Sequence, residues 1–309
     1  MNSKPKVSVL MNCFNGEKYL REAIDSVLAQ TYSSWELVFW DNRSTDASAE
    51  ICRSCNDPRI GYFLAPRHTN LGEARALAYA EVSGELVAVL DTDDFWHPEK
   101  LARQVVLFDD PALGIAISDV LFFTDDGKSR RRFSGGPPPQ GMVFEQLLDS
   151  YFVPVETVML RRSAIDSLPQ AFDPKLSHIS DFDLVVRLAK DWKLAYTDEV
   201  LAHWRVHAAS GSWAEPERFF SEKMVFVGKM DALPEFASVW GPSRKRFLER
   251  TMTSEAMTRL GAGDAATCRT MLQPHREANW RAFMVYSLSF LPFGAHLVRW
   301  YRRHMSGLC

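Results

Sequence analysis

Short apolar runs alternate along the first 125 residues with segments whose apolar side chains recur at helical spacing. The runs cover residues 7–11, 36–40, 60–64, 86–90 and 115–123, and turn residues bound them. A short apolar run between turns is typical of a buried strand. Strands that alternate with helices predict a Rossmann-like α/β fold, in which helices flank a mostly parallel central sheet.

Three of the apolar runs lead directly into a polar side chain. Asn12, Asp41 and Asp91 each lie at or just past the carboxyl end of a predicted strand. In open parallel sheets, ligands bind outside the carboxyl ends of the strands. The sequence therefore predicts a ligand site at this edge of the sheet.

The pattern changes in the second half of the chain. Residues 142–148 and 181–191 read as helices, and residues 193–196 and 201–206 read as two short strands. Beyond Trp213 the pattern is helical throughout. We therefore expect an α/β domain over residues 1–212 and an α-helical C-terminal region over residues 213–309.

Composition excludes several classes of protein. The formal net charge of −3 gives no electrostatic reason to expect a nucleic-acid partner. Five scattered cysteines are too few for a disulfide framework, so a reducing, cytoplasmic setting is expected. No basic segment followed by an apolar stretch precedes the first strand, so no secretory signal is expected. Polar residues, glycine and proline interrupt the apolar stretch at residues 282–298, so no transmembrane helix is expected.

Three carboxylates crowd together where the fourth apolar run ends, at Asp91, Asp93 and Asp94. Carboxylates this close repel one another, and a hard divalent cation such as Mg²⁺ or Mn²⁺ removes that cost. The same acids could instead cap the helix expected near Pro98 and face water. Their position at the carboxyl edge of the sheet favours a metal site.

Four segments, in order along residues 6–210, resemble the inverting family 2 glycosyltransferases with the GT-A fold. The segments are P-K-V-S-V-L-M-N-C-F-N (5–15), W-E-L-V-F-W-D-N-R-S-T-D (35–46), N-L-G (70–72) leading to G-E-L-V-A-V-L-D-T-D-D (84–94), and S-D-F-D-L-V-V-R-L (180–188) followed by W-R-V-H (204–207). The resemblance implies a nucleotide-binding half over residues 1–125 and an acceptor and catalytic half over residues 126–212.

By this resemblance, the acidic segment is the family's D-x-D motif. Asp93 and Asp94 are then the expected ligands of a Mn²⁺ or Mg²⁺ ion that bridges the two phosphates of the donor. Asp91 is expected to contact the donor as well. His207 corresponds to a histidine that approaches the metal or the diphosphate, although a lone histidine is commonly structural.

The resemblance places the general base at Asp181, which would deprotonate the acceptor hydroxyl. The alternative is that Asp181, like Ser180, only caps the helix that begins there. The family usually has glutamate where this chain has Ser180. Asp183 is expected to pair with Arg187 four residues later and to be structural.

The resemblance also implies which residues contact the nucleotide. Asn12 and Phe14 would flank the base, with Phe14 stacking on its face. Asp41 and Asn42 would read the edge of the base, where the family commonly has two consecutive acids.

Two arginines are candidates for the phosphates of the donor. Arg75 follows the N-L-G segment on a predicted helix and could reach a phosphate. Arg205 could neutralise a phosphate or pair with a surface acid.

The expected activity is metal-dependent transfer of a sugar from a nucleoside-diphosphate sugar, with a UDP-sugar favoured, to a glycan or lipid-linked acceptor in surface polysaccharide synthesis. Processive synthases of the family carry a Q-x-x-R-W motif and transmembrane helices, and neither is found here, so one sugar per encounter is expected. Two alternatives remain. A nucleotidyltransferase would need a glycine-rich, basic segment near residues 12–16 that is absent, whereas a catalytically silent nucleotide-binding or scaffold protein is compatible with Asn42 and Ser180.

Residues 280–304 combine aromatic and basic side chains. This combination suits a helix lying on anionic lipid, which would place the protein peripherally on the inner face of the plasma membrane. It also suits a helix packed on the protein with a solvated basic end. The helical region is in addition a candidate for contacts in a homo-oligomer.

Overall fold

The computed structural model describes residues 7–207, 216–277 and 279–305. These residues form two compact units. The first runs to Leu147 and resumes from Tyr151 to His207, and the second contains Leu148–Ser150 and the helices from Pro216 onward. The domain boundary expected between residues 212 and 213 lies outside the described residues.

The first unit is built on a sheet of nine strands. They are β1 (Val7–Cys13), β2 (Trp35–Asp41), β3 (Ile60–Leu64), β4 (Leu86–Val89), β5 (Phe95–Trp96), β6 (Leu113–Phe123), β7 (Ser129–Arg131), β8 (Met159–Arg161) and β9 (Lys193–Arg205). Their order is β3-β2-β1-β4-β8-β6-β9-β5, with β7 paired to β6. The neighbours β3, β2, β1 and β4 are parallel throughout, as are β6 and β9, while β5, β7 and β8 pair antiparallel.

Helices cover both faces of the parallel half. The helices of the first unit are α1 (Glu17–Leu28), α2 (Ser48–Ser54), α3 (Leu71–Tyr79), α4 (Lys100–Val105), α5 (Phe144–Asp149, which ends in the second unit), α6 (Arg162–Asp166) and α7 (Ser180–Ala189). Val7, Val9 and Met11 of β1 share one apolar core with α1. Side chains alternate along a strand, so the opposite face of β1 is left for α3, which packs on β1 and β2. The predicted Rossmann-like sheet is confirmed.

The last strand of the sheet corrects one expectation. Residues 193–196 and 201–206 were expected to form two strands, but Lys193–Arg205 is a single strand, β9. Its register against β6 shifts where Ser118 opposes Thr197 and Asp119 opposes Val200, which leaves residues 198–199 out of the ladder. A bulge of this kind absorbs the turn-forming residues without ending the strand.

All regular secondary structure in the described part of the second unit is helical, as the sequence predicts. Its helices are α8 (Pro216–Asp231), α9 (Pro234–Val239), α10 (Gly241–Gly261), α11 (Ala265–Leu272), α12 (Trp280–Leu288) and α13 (Gly294–Met305). Leu260, Leu272, Val285 and Val298 bring four of these helices into one small apolar core. Within the described part of the chain, no helix is both long enough and apolar enough to cross a bilayer.

Gly72 should not tolerate a side chain. A Cβ atom at this position of α3 would lie 1.8 Å from the carbonyl oxygen of Leu176 and 2.5 Å from that of Asp173. Because backbone atoms cannot move aside as a flexible side chain can, we expect Gly72→Ala to lower the free energy of unfolding by about 3 kcal/mol. Chemical denaturation of the purified protein measures this change.

Gly228 is the matched control for that substitution. It also lies in a helix, α8, but a Cβ atom there would meet nothing within 4 Å. We expect Gly228→Ala to raise the free energy of unfolding by about 0.5–1 kcal/mol, through helix propensity alone. Equal effects of the two substitutions would contradict the close approach at Gly72.

Candidate active site

The loops that follow β1 and β2 are bonded to each other at the carboxyl edge of the sheet. The amide of Asn15 donates to Ser44 Oγ at 3.1 Å, and the amide of Thr45 donates to Asn15 Oδ1 at 2.8 Å. Asn15 and Arg43 both have positive φ, at 53° and 68°, which turns each loop sharply. This conformation is uncommon for a residue such as Arg43, and the hydrogen bonds between the two loops fix the edge as a preformed surface.

The side chains of Asp41 and Asn42 are engaged within the protein. Asp41 Oδ1 accepts the amide of Ser44 at 2.7 Å, and its Oδ2 accepts the hydroxyl of Tyr62 at 2.5 Å. The Asn42 side-chain nitrogen, Nδ2, donates to the carbonyl of Thr69 at 2.7 Å, and Asn42 Oδ1 accepts the backbone amide of Thr69 at 3.1 Å. Asn42 thereby holds the loop before α3, and its expected contact with a base stays a prediction.

Asn12 and Phe14 lie at the end of β1 with capacity left for a ligand. Both polar atoms of the Asn12 amide are buried and have no partner among the described residues. Phe14 is half exposed, and its ring centroid lies 4.2 Å from that of His68. A planar ligand could extend this aromatic pair while the Asn12 amide binds its polar atoms.

A buried arginine connects the acidic segment to the helix that carries the predicted base. Arg75 is only 3% exposed. Its Nη2 lies 3.0 Å from Asp91 Oδ1, and its Nη1 donates to Ser180 Oγ at 2.8 Å. The third nitrogen, Nε, is buried without a partner among the described residues. Ser180 therefore serves as an acceptor for Arg75, a role that its spacing to Asp181 alone does not reveal.

Asp181 is the second residue of α7 and is partly buried. The hydroxyl of Tyr151 donates to Asp181 Oδ2 at 3.3 Å. Burial raises the pKa of the Asp181 carboxyl above its usual range, while the charge of Arg75 acts in the opposite direction. A carboxylate with a raised pKa is a better proton acceptor than an ordinary one.

The other acid of this helix is structural, as its spacing predicts. Asp183 is fully buried, and its Oδ2 lies 2.6 Å from Arg187 Nη2. Arg187 also donates to the carbonyls of Gln170 and Ala171. The predicted pairing of Asp183 with Arg187 is confirmed.

The remaining acids of the D-T-D-D segment contact the end of β9. Asp93 Oδ2 lies 2.9 Å from His207 Nε2, and burial raises the pKa of Asp93. Asp94 is buried, and its Oδ1 accepts the backbone amide of Arg205 at 2.8 Å. Of the three residues predicted as metal ligands, Asp93 and His207 contact each other, whereas Asp94 contacts the backbone two residues before His207.

The guanidinium of Arg205 is neutralised by acids of the protein. It donates to Asp125 Oδ1 at 2.7 Å and forms an ion pair with Glu22. It also lies over the ring of Tyr19, 4.3 Å from the ring centroid. Of the two roles expected for Arg205, pairing with acids is the one that these contacts favour.

Glu156 lies close to Asp91 and Asp94. We call Asp91, Asp93, Asp94 and Glu156 the acidic edge. The sequence alone did not single out Glu156. It lies in a short 3₁₀ turn, Val155–Thr157, and is 1% exposed. One ligand atom from each of Glu156, Asp91 and Asp94 lies within 4.8 Å of the others. Burial, together with the charge of Asp91, raises the pKa of Glu156 to about 8.

Glu156 also has a carboxyl oxygen, Oε2, that is buried without a partner among the described residues. One feature of the sequence could have indicated a role for Glu156: it is the single charged residue inside the otherwise apolar stretch F-V-P-V-E-T-V-M-L at residues 152–160. A charge in such a run needs compensation. Only the sheet order shows which partners lie nearby.

The family of the chain follows from its sequence. The sequence profile of glycosyl transferase family 2 matches residues 8–168, more than half of the chain. The chain belongs to this family and is a glycosyltransferase. A protein of Bacillus subtilis named as a glycosyltransferase of teichuronic acid biosynthesis, TuaG, is 26% identical over 208 residues, which are 66% of this chain and 81% of TuaG.

Solved structures confirm the fold. TarS of S. aureus, residues 1–349, superposes with a TM-score of 0.64 at 16% identity and covers 92% of this chain and 90% of its own. A mannosyltransferase of Pyrobaculum calidifontis, solved with GDP-Man and Mn²⁺, superposes with a TM-score of 0.61 at 17% identity, over 96% of this chain and 87% of its own. The GT-A fold expected from the sequence is thus confirmed.

The two acids of α7 should respond oppositely to loss of charge. We expect Asp183→Asn to lower the free energy of unfolding by about 3 kcal/mol, because Arg187 would remain buried without its counter-ion. Asp181→Asn should leave the free energy of unfolding unchanged or raise it, since this carboxylate is partly buried and forms no ion pair in the described structure. Denaturation of both variants makes the comparison, and equal losses would refute these separate roles.

Proposed function

We propose that this enzyme transfers a single sugar from a UDP-sugar to a glycan or lipid-linked acceptor of a surface polysaccharide, with metal dependence and with inversion at the anomeric carbon. The observation that carries the proposal is the bridge formed by Arg75. It ties Asp91, in the acidic segment, to Ser180, the residue before Asp181. A donor at the acidic edge and a base on α7 are thereby held in one rigid arrangement.

Asp181 is the general base of this proposal. Its ionised carboxylate takes the proton of the acceptor hydroxyl while the hydroxyl oxygen bonds to the anomeric carbon. The bond from that carbon to the diphosphate oxygen breaks on the opposite face, which inverts the configuration. Tyr151 orients the carboxylate through its hydrogen bond to Oδ2. A positioned base of this kind contributes about 100- to 10,000-fold to the rate.

The acidic edge fits a divalent cation. Asp91, Asp94 and Glu156 crowd three carboxyl groups together, and Glu156 has a buried, unpartnered oxygen. Of the expected ligands Asp93, Asp94 and His207, we assign direct contact with the cation to Asp93 and His207, because both are partly exposed, whereas Asp94 is buried. When bound, the cation supplies Lewis acidity that offsets charge on the departing diphosphate.

Asp94 and Glu156 act behind these ligands. Asp94 fixes the end of β9 through the amide of Arg205, two residues before His207. Glu156 adds a third carboxyl group to the cluster with Asp91 and Asp94. Both groups lie in a position to be stabilised by a nearby positive charge.

The choice of uridine rests on the side chains of Asn12 and Phe14 and on a solved structure of similar fold. The unpartnered Asn12 amide can both donate to and accept from a base, and Phe14 offers a stacking face. TarS residues 1–349, of similar fold, have been solved with UDP and with UDP-GlcNAc. The surface polysaccharide acceptor rests on the likeness to TuaG.

Activity should depend on the ionisation of Asp181. Because the base acts when ionised, kcat/KM should be constant at high pH and should fall about tenfold per unit below its pKa. Burial raises this pKa, so the fall should begin above the usual carboxyl range. Tyr151→Phe removes a donor to the ionised carboxylate, raises the pKa further and should move the acid limb to higher pH. The measurement is a pH profile of kcat/KM.

Tyr79→Phe is the matched control for that profile. The hydroxyl of Tyr79 donates to a different carboxylate, Asp166, at 2.6 Å. The same chemical change there should leave the acid limb where it is in the native enzyme. Asp181 is not the base if Tyr151→Phe leaves the acid limb of the kcat/KM profile in place, or if both substitutions shift it equally.

Donor class and metal dependence can be measured together. We expect calorimetric titration with UDP, dTDP, GDP and CDP to show tightest binding of UDP, strengthened at least about tenfold by Mn²⁺ because the cation neutralises the diphosphate. Tightest binding of another nucleotide would reassign the donor. If no nucleotide binds with or without Mn²⁺, the transferase proposal fails.

Two acid-to-amide variants locate the cation within the acidic edge. Asp93→Asn should abolish the effect of Mn²⁺ on UDP binding, because it removes a ligand that faces the diphosphate. Glu156→Gln keeps the shape of the buried side chain and should retain most of that effect. If Glu156→Gln abolishes the effect as completely as Asp93→Asn, the cation lies in the buried cluster of Asp91, Asp94 and Glu156.

A further inference from the structure

The last two described helices present large apolar side chains to solvent. Trp280 and Phe283 of α12 are 67% and 59% exposed, and Phe290 and Phe293, in the turn between α12 and α13, are 61% and 54% exposed. We call these four side chains the aromatic face. Nine of the fifteen exposed large apolar residues that the structure describes lie between residues 280 and 301. Exposed apolar side chains concentrated in one segment mark an interaction surface.

The aromatic face is not a consequence of poor packing in these helices. Ala282 and Val285 of α12 and Val298 of α13 are buried, in one core with Ala256 and Leu260 of α10. The helices are therefore docked on their own unit through small and branched side chains. The four side chains of the aromatic face take no part in this core, so they are available to a binding partner.

Charge identifies the partner. Residues 278–309 contain four arginines and no aspartate or glutamate, in a chain whose formal net charge is −3. Among them, Arg281 stacks near Trp280, with its guanidinium carbon 5.5 Å from the ring centroid. Basic side chains interleaved with aromatic ones match a surface that is anionic outside and apolar beneath, which is a bilayer of anionic lipid.

A second copy of this chain is a poorer match. In a two-fold symmetric dimer, each surface meets its own copy. Arg281, which lies beside Trp280 of the aromatic face, would then be brought close to its own copy, and residues 278–309 contain no acid to compensate it. Like charges brought together in an interface oppose association.

We propose that the aromatic face binds the surface of an anionic membrane, with its rings at the boundary between headgroups and acyl chains and the neighbouring Arg281 on a lipid phosphate. The contact is peripheral and lies parallel to the bilayer. It is independent of the donor site and would hold whichever sugar the enzyme transfers.

Vesicle flotation with the full chain tests the proposal. We expect binding to vesicles of phosphatidylcholine mixed with phosphatidylglycerol, and much weaker binding to phosphatidylcholine alone or at high salt. Replacing Phe283, Phe290 and Phe293 by serine should weaken binding at least about 100-fold, because interfacial partitioning scales with the apolar area buried. Arg281→Gln should reduce the preference for anionic vesicles and leave the rings in place.

The control variant carries Val106→Ser and Met142→Ser. These side chains are 60% and 54% exposed and belong to the first unit, whereas the aromatic face belongs to the second. The control should float with anionic vesicles as the native protein does. Thermal unfolding of each variant without lipid shows whether it is folded, and Arg281→Gln, which alters no apolar side chain, tests the proposal if the triple variant does not fold.

A second readout reports contact with the acyl chains. Brominated lipids should quench part of the tryptophan fluorescence of the native protein, and Trp280→Phe should remove most of that quenching. Absence of binding to both kinds of vesicle would overturn the proposal. So would a dimer, measured by light scattering, that the triple serine variant converts to a monomer, because the face would then be an interface between copies.

Discussion

The guanidinium of Arg75 is the interaction on which the candidate site depends. It is buried, and its two terminal nitrogens bond the side chains of Asp91 and Ser180. A buried cation is tolerated only when it is paired and hydrogen-bonded, so its two partners cannot separate without a large cost. The edge that carries the acids and the helix that carries Asp181 therefore keep one relative position.

Crowding and burial at the acidic edge disfavour ionised carboxylates, and a bound cation would remove that cost. Four carboxyl groups, from Asp91, Asp93, Asp94 and Glu156, lie around one edge of the sheet, and the pKa of three of them is raised by burial. Raised values mean that the folded protein disfavours their ionised forms. A cation near the edge would favour the ionised forms instead. The raised pKa values and the proposed metal dependence therefore have one cause, the crowding of buried carboxyl groups.

Much of the fold and part of the site could be predicted from residue patterns. The apolar runs predicted the four parallel strands, and the polar residues at their ends marked the edge that carries Asn12, Asp41 and Asp91. Spacing of four residues predicted the pair of Asp183 and Arg187. These successes involve local chain geometry, in which side-chain periodicity is set by the backbone itself.

Tertiary structure decided the contacts between residues that are distant in the chain. Glu156 reaches the acids only because β8, which follows it, inserts beside β4. Nothing in the spacing of Arg75 and Ser180 joins them, and the continuity of β9 depends on its long pairing with β6.

The sequence by itself determined the four parallel strands β1 to β4, the sheet edge at which Asn12, Asp41 and Asp91 lie, and the family of the enzyme. Only the tertiary structure decided which charges share a buried environment and which aromatic side chains remain at the surface. The reason is physical: periodicity and motifs act over a few residues, whereas burial and charge pairing depend on neighbours that only chain packing brings together.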